Sequence, residues 1–319
     1  MAEAITDPGQ LLEALALDPA LLTPSLAAAA RFRLRVPRPY LARMRRGDPR
    51  DPLLRQVLPV GEELLDAEGY EGDPLGEAAA NRVPGLLHKY QGRALLVTTG
   101  ACAVHCRYCF RREFPYDAQH SGDGRWAEAL ACIAADESIE ELILSGGDPL
   151  SLSNARLEVL ARSLAPIAHL RRLRVHTRTP VVLPARVDDG LLAWLRALPW
   201  PAVVVVHTNH AQEIDNGVAD AFARIRATGA QLLNQSVLLA GVNDDETSLV
   251  DLSTALFRAG ALPYYLHLLD RVRGASHFDV PEARGRELLR AIHARLPGYL
   301  VPRLVREEAG AAGKTPLAA

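Results

Sequence analysis

From residue 93 onward, short apolar runs recur at 93–99, 141–145, 173–177, 202–207, 231–238 and 262–268. Stretches with helical spacing of apolar positions lie between them, at 153–165, 188–197, 218–228 and 246–259. The last four runs begin about 30 residues apart, the length of one strand–helix unit. Near-continuous apolar strands alternating with amphipathic helices predict an α/β fold, a parallel sheet covered by helices. Six such units fit a partial (β/α)6 barrel better than a closed barrel of eight. Residues 1–90 have a different texture. Pro8, Pro19, Pro24, Pro37, Pro39, Pro49 and Pro52 interrupt them, leaving short helices such as 10–17 and 39–46. The expected division is therefore an N-terminal helical region (1–90), the barrel (91–297) and a C-terminal strand and arm (298–319). The basic stretch 31–46 reads as a solvated helix surface.

Composition narrows the partners. A chain of 319 residues that is 49% hydrophobic can bury a large core, and a formal net charge of −2 gives no general electrostatic case for nucleic acid or membrane. No apolar stretch reaches the roughly 18–20 residues of a membrane helix, and the N-terminus lacks the marks of a signal peptide. Three of the four cysteines are clustered rather than spread in pairs, which points to a reducing cytoplasm. Cys132 stands apart in a helical pattern and reads as a small buried hydrophobe.

The clustered cysteines carry the chemistry. Cys102, Cys106 and Cys109, spaced C-x3-C-x2-C, follow the first strand and precede Phe110. Three thiolates on one loop can grip an iron–sulfur cube and leave one iron without a protein ligand. Zinc is the competing occupant; it usually takes four ligands, and His105 could supply the fourth. Other polar residues also fall at predicted strand ends, where parallel α/β folds build their sites. They include Ser145-Gly146-Gly147-Asp148, then His176, Arg178 and Thr179, then His207 to His210, then Asn234 and Gln235, and finally Asp270. Near the other terminus, Lys314 sits in a run of Gly and Ala, which is either a loose tail or an arm able to carry a lysine into a site.

The cysteine segment, with its strand before and aromatic after, closely resembles the radical S-adenosylmethionine superfamily. Further segments resemble the lysine 2,3-aminomutase family in order: Arg107 to Arg112, Leu144 to Asp148, Arg178 to Pro184, Asn234 to Leu239, Pro263 to Tyr265, and the glycine-containing stretch around Lys314. Within that family, Val83 to Tyr90, Gly298 to Leu304, Arg35 to Arg38 and Asp51 to Val57 are most similar to the elongation factor P β-lysylation branch.

That resemblance implies a radical S-adenosylmethionine barrel and three cofactors: a [4Fe-4S] cluster on Cys102, Cys106 and Cys109, S-adenosyl-L-methionine, and pyridoxal 5'-phosphate on Lys314. It assigns Lys89 and Arg93 to the pyridoxal phosphate group. Ser145, Gly146, Gly147, His207 and Gln235 fall to S-adenosylmethionine. Arg111 takes the substrate carboxylate, and Asp270 and Glu307 the substrate's side-chain ammonium. Glu307 departs from the family's usual aspartate, and Ala311 and Ala312 replace glycines before the cofactor lysine. The implied activity is an isomerase that moves the α-amino group of lysine to the β carbon. The branch implies β-lysine supply to elongation factor P and its β-lysine ligase, a flavodoxin or ferredoxin as reductant, and a homo-oligomer. Two other readings stand beside this one: a lysine 2,3-aminomutase of lysine breakdown or osmolyte synthesis, and a non-catalytic metal-binding regulatory protein.

Overall fold

The computed structural model describes residues 4–119 and 126–318. The N-terminal part forms α1 (Pro8–Ala14), α2 (Leu22–Arg31) and several single turns. Pro8 starts α1 and Asp7 caps it, its carboxylate accepting from Gln10 N–H at 2.9 Å, so these prolines begin helices as well as break them. Leu11, Tyr40, Leu53, Leu54 and Val57 are fully buried in a core of their own. Ala103, Val104 and Val182 belong to the same cluster. The N-terminal part thus packs directly against the cysteine loop.

Among the described residues a single sheet carries ten strands in chain order. They are β1 (Asn81–Val83), β2 (Leu86–Tyr90), β3 (Arg93–Thr99), β4 (Glu141–Gly146), β5 (Arg172–Thr177), β6 (Ala202–His207), β7 (Gln231–Val237), β8 (Leu262–His267), β9 (Arg303–Arg306) and β10 (Thr315–Pro316). From β3 to β9 every pairing is parallel. The ends are antiparallel, with β1 and β2 running into β3, and β10 folded back on β9. Residues 81–90, placed by the sequence in the helical region, therefore extend the sheet. The crossovers are α3 (Ala127–Ala135), α4 (Asn154–Leu164), α5 (Asp189–Ala197), α6 (Asn216–Arg226), α7 (Glu246–Ala259) and α8 (Glu282–Arg295). Ser153, Asp188, Asp215 and Asp245 cap α4 to α7 through their side chains, each satisfying an end donor that has no partner within the helix.

These six strand–helix units are the partial barrel that the periodicity predicts. No pairing joins β1 to β10 among the described residues. The two sides of the gap do meet through side chains, since Tyr90 of β2 donates to Glu307, one residue past β9, at 3.0 Å. The largest core lies between β3–β7 and the helices outside them. Every position of β4 is buried, and its middle, Leu142, Ile143 and Leu144, is accordingly a continuous apolar run rather than an alternating one. Cys132 is partly buried against this core and has no disulfide partner.

Candidate active site

The cysteine loop leaves the end of β3 and is fixed by the N-terminal part. Arg107, between Cys106 and Cys109, is fully buried. Its guanidinium donates to both carboxylate oxygens of Glu63, at 2.8 and 2.5 Å, and to Phe32 O at 2.7 Å. Arg112 also donates to Glu63, at 2.6 Å. Backbone bonds run from His105 N–H to Arg35 O and from Arg107 N–H to Gln56 O. One carboxylate therefore ties together two arginines flanking Cys109, and the loop gains a rigid seat. In the same stretch Arg43 is bound to Val181 O at 2.6 Å, so part of the basic segment 31–46 is internal rather than a solvated face. His105 has its Nδ1 at Arg33 O, 2.8 Å away, and its ring stacked on Phe32. Among the described residues, no three His, Cys, Asp or Glu side chains are gathered closely enough to hold one metal ion.

Gly146 and Gly147 are held by the cysteine loop itself. A Cβ at Gly147 would stand 2.5 Å from Ala101 O, and one at Gly146, where φ is +122°, 2.5 Å from Thr99 O. Gly147 N–H donates to Thr99 O, and Asp148 N–H to Ala101 O. Only glycine permits that approach. The strand ends of β3 and β4 are thereby joined, and Ser145 is presented beside the loop.

All fourteen residues to which the family resemblance gives a role line one cavity of about 440 Å³ at the C-terminal ends of the parallel strands. Cys102, Cys106 and Cys109 occupy one wall and are free thiols. Burial, more than any other cause, pushes the Cys109 thiol up to about 11, and the neighbouring Cys106 adds to it. Cys102 is also raised, by burial and then by Asp148. The thiolate, not the thiol, is the metal ligand, so a cationic inorganic partner has to displace these protons to bind here.

At the opposite end lie Lys89 and Lys314, the only two lysines of the chain. Lys314 Nζ donates to Glu307 Oε2 at 2.5 Å, and Lys89 Nζ stands 3.6 Å from Glu307 Oε1. Lys314 Nζ also sits 5.8 Å above the Tyr265 ring, and Arg93 lies over the Tyr90 ring at 4.5 Å. Although burial opposes ionisation of Glu307, Lys314 and Lys89 hold its carboxyl down to about 2. Asp270 moves the other way. Burial and then the Glu307 charge push it up to about 7, with Lys314 and Lys89 opposing.

Arg111 arrives with its fork already filled. It donates to both oxygens of Glu77, at 2.7 and 2.8 Å, and to Ser145 Oγ at 3.0 Å. A substrate carboxylate at Arg111 must share the guanidinium with Glu77. Between the two ends, Gln235 Nε2 lies 3.0 Å from His207 Nε2. Burial and then the charge of Arg178 lower His207 to about 3, so the ring is neutral and its Nε2 accepts. The Gln235 Oε1, His176 Nε2, His267 Nε2 and Arg178 Nε atoms are buried without partners among the described residues, and all four residues line the cavity. Unpaired buried polar atoms are costly, and here they offer contacts to a polar ligand.

Some residues that matter had no signal in the sequence. Glu77 stands alone before three alanines and is identified only by its partners, Arg111 and Lys89. Glu63 and Glu213 are likewise visible only as the anions of buried arginines. Conversely, Asn234 faces the backbone of Thr208, accepting from its N–H and donating to its carbonyl. His210 caps the turn Ala211–Glu213. These two complete strand ends and do not line the cavity.

A family model described as a 4Fe-4S single cluster domain matches residues 91–169, the segment that carries all three cysteines. The chain is 46% identical to the L-lysine 2,3-aminomutase of Escherichia coli K12 over 318 residues, 99% of this chain and 93% of that one. With the Haemophilus influenzae L-lysine 2,3-aminomutase it shares 48% identity, covering 99% and 93%. With that of Clostridium subterminale it shares 36%, covering 87% and 67%. Among solved structures, Streptococcus suis SuiB bound to S-adenosylmethionine superposes with a TM-score of 0.51 at 11% identity, over 72% of this chain and 53% of SuiB. That last likeness concerns the fold alone.

Proposed function

The chain belongs to the lysine 2,3-aminomutase family of radical S-adenosylmethionine enzymes, and from that premise we propose that it converts L-α-lysine to β-lysine with pyridoxal 5'-phosphate anchored on Lys314. One observation carries the proposal. The only two lysines of the chain meet at Glu307 on one side of a cavity whose other side holds three free cysteines.

Cys102, Cys106 and Cys109 would hold the [4Fe-4S] cluster. Gln235 and His207, with Ser145 and the backbone at Gly146 and Gly147, line the space for S-adenosylmethionine. Lys89 and Arg93 supply cationic donors for the pyridoxal phosphate group. Together these groups supply the chemistry that side chains lack: a carbon radical at an unactivated position, and an electron sink for the migrating nitrogen.

The protein's part is to bind and to keep charges apart. Arg111, with Ser145 and Glu77 behind it, presents donors to the substrate carboxylate. At the other end Asp270 meets the side-chain ammonium, and it does so as an anion only above about pH 7. Glu307 remains ionised well below that, and it holds Lys314 by a charge-assisted bond until the anchor is used. His207 stays neutral and accepts from Gln235 without bringing a second positive charge near a sulfonium ligand.

The motif likeness set out above supports β-lysine supply to elongation factor P, with a flavodoxin or ferredoxin as electron donor and a homo-oligomeric enzyme. Borohydride reduction of the loaded protein followed by peptide mapping tests the anchor, because only two lysines can react. The pyridoxyl group is expected on Lys314; finding it on Lys89, or on neither, overturns the assignment. For the biological role, elongation factor P from a strain lacking the gene should lose the mass of its β-lysyl group. An unchanged mass removes that role.

A further inference from the structure

Arg178 lies just past β5, before the turn Thr179–Val182, and is 5% exposed. Its Nη1 donates to Cys106 Sγ and to the Tyr108 hydroxyl, each at 2.7 Å. Its Nη2 donates to Gln56 Oε1 at 2.6 Å, Glu213 Oε2 at 2.8 Å and Tyr40 Oη at 3.1 Å. Asp148 fixes the backbone beneath it by accepting from Arg178 N–H at 2.7 Å. The guanidinium is thus gripped by the N-terminal part, by the turn Ala211–Glu213 after β6 and by the cysteine loop together. A structural ion pair would need only Glu213. The bond to sulfur is an addition that packing does not require.

We infer that Arg178 is a positioning residue for the iron–sulfur centre, donating Nη1–H to the thiolate of Cys106 and so raising the cluster's reduction potential. The inference rests on the reading that the three cysteines hold a four-iron cluster. Reduction adds a negative charge to the cluster. A hydrogen bond to a ligating sulfur and a fixed positive charge beside it both favour the reduced form. Tyr40 and Gln56 belong to the N-terminal part, so that part serves the cluster chemistry as well as the packing: it holds the guanidinium against the sulfur.

The test uses the full chain, reconstituted anaerobically with iron and sulfide, as parent, as Arg178→Lys and as Arg178→Gln combined with Glu213→Gln. The double change removes both charges and avoids leaving Glu213 buried alone. Iron and sulfide per chain are measured first, then the one-electron midpoint by redox titration followed by electron paramagnetic resonance. Four irons per chain are expected in all three. The double variant is expected to become at least tenfold harder to reduce, a fall of about 59 mV for a one-electron couple. Arg178→Lys keeps a charge but loses the fork, and should fall by less. A double variant that keeps its cluster and shows less than a twofold change in its reduction equilibrium overturns the inference. If the double variant does not assemble a cluster, Arg178→Lys is judged instead: a threefold or larger loss supports the inference and an unchanged midpoint ends it. A parent without iron would instead contradict the cluster reading beneath it.

Discussion

Asp270→Asn removes a negative charge from the end of the cavity that faces both lysines, and its effect depends on pH in a calculable way. In the folded chain burial and Glu307 raise the carboxyl from 3.8 to about 7. At about 1.36 kcal/mol per decade, the fold bears on the order of 4 kcal/mol once that group is ionised. The residue is only partly buried, so solvent screening reduces the figure. The folded chain holds this proton more tightly than the unfolded chain does. Stability of the parent therefore declines as pH rises from about 4 to about 7 and then levels off. Glu307 acts in the opposite sense and in a lower window. Its carboxyl is depressed to about 2, so its contribution is complete above about 4.5 and fades as pH falls towards 2. Asparagine at 270 removes the first slope and leaves the second. In urea unfolding of the cofactor-free protein, the variant should gain roughly 1–3 kcal/mol relative to the parent on going from about pH 5 to about pH 8. In turnover, the parent's KM for lysine should fall as pH rises through about 7. In the variant KM should be raised about tenfold or more and be flat with pH, as expected for loss of a charge-assisted bond of about 1.5–3 kcal/mol. A parent–variant difference in stability that is the same at both pH values would refute the raised ionisation and its assigned role.

Two other substitutions test different parts of the site. Glu63→Ala leaves the buried Arg107 and Arg112 without their shared anion, which should cost about 3–5 kcal/mol in urea unfolding and lower the iron bound per chain; a loss below about 1 kcal/mol would mean the cysteine loop is seated by other contacts. Arg111→Lys cannot fork onto two oxygens, so KM for lysine should rise about tenfold or more, equivalent to roughly 1.5–3 kcal/mol. Unchanged saturation would take Arg111 out of substrate binding.

The sequence made six of the seven parallel strands legible because they are written as short runs rich in apolar residues, and because a fixed strand–helix length spaces them. The short strands gave no such signal: β1 reads Asn81-Arg82-Val83 and β10 is only Thr315-Pro316. The cysteines were legible because their spacing is local. Gly146 and Gly147 stood out too, but the spacing could not say why. They are required by the backbone at 99–101, at the end of β3 and just past it, more than 40 residues earlier in the chain. The same limit hid Glu77, whose partner Arg111 is 34 residues away, and Gln56, whose partner Arg178 is 122 away. Contacts made across such distances depend on the topology, and no window of sequence contains both partners.

The assignment as a lysine-to-β-lysine isomerase stands most directly on the amino acid that the loaded enzyme produces. Anaerobically reconstituted protein given L-lysine, S-adenosylmethionine, pyridoxal phosphate and a strong reductant should yield β-lysine, resolved from α-lysine by chromatography of derivatised amino acids. Protein that carries its cluster and both cofactors, yet returns only α-lysine with the sulfonium cleaved or untouched, would contradict it.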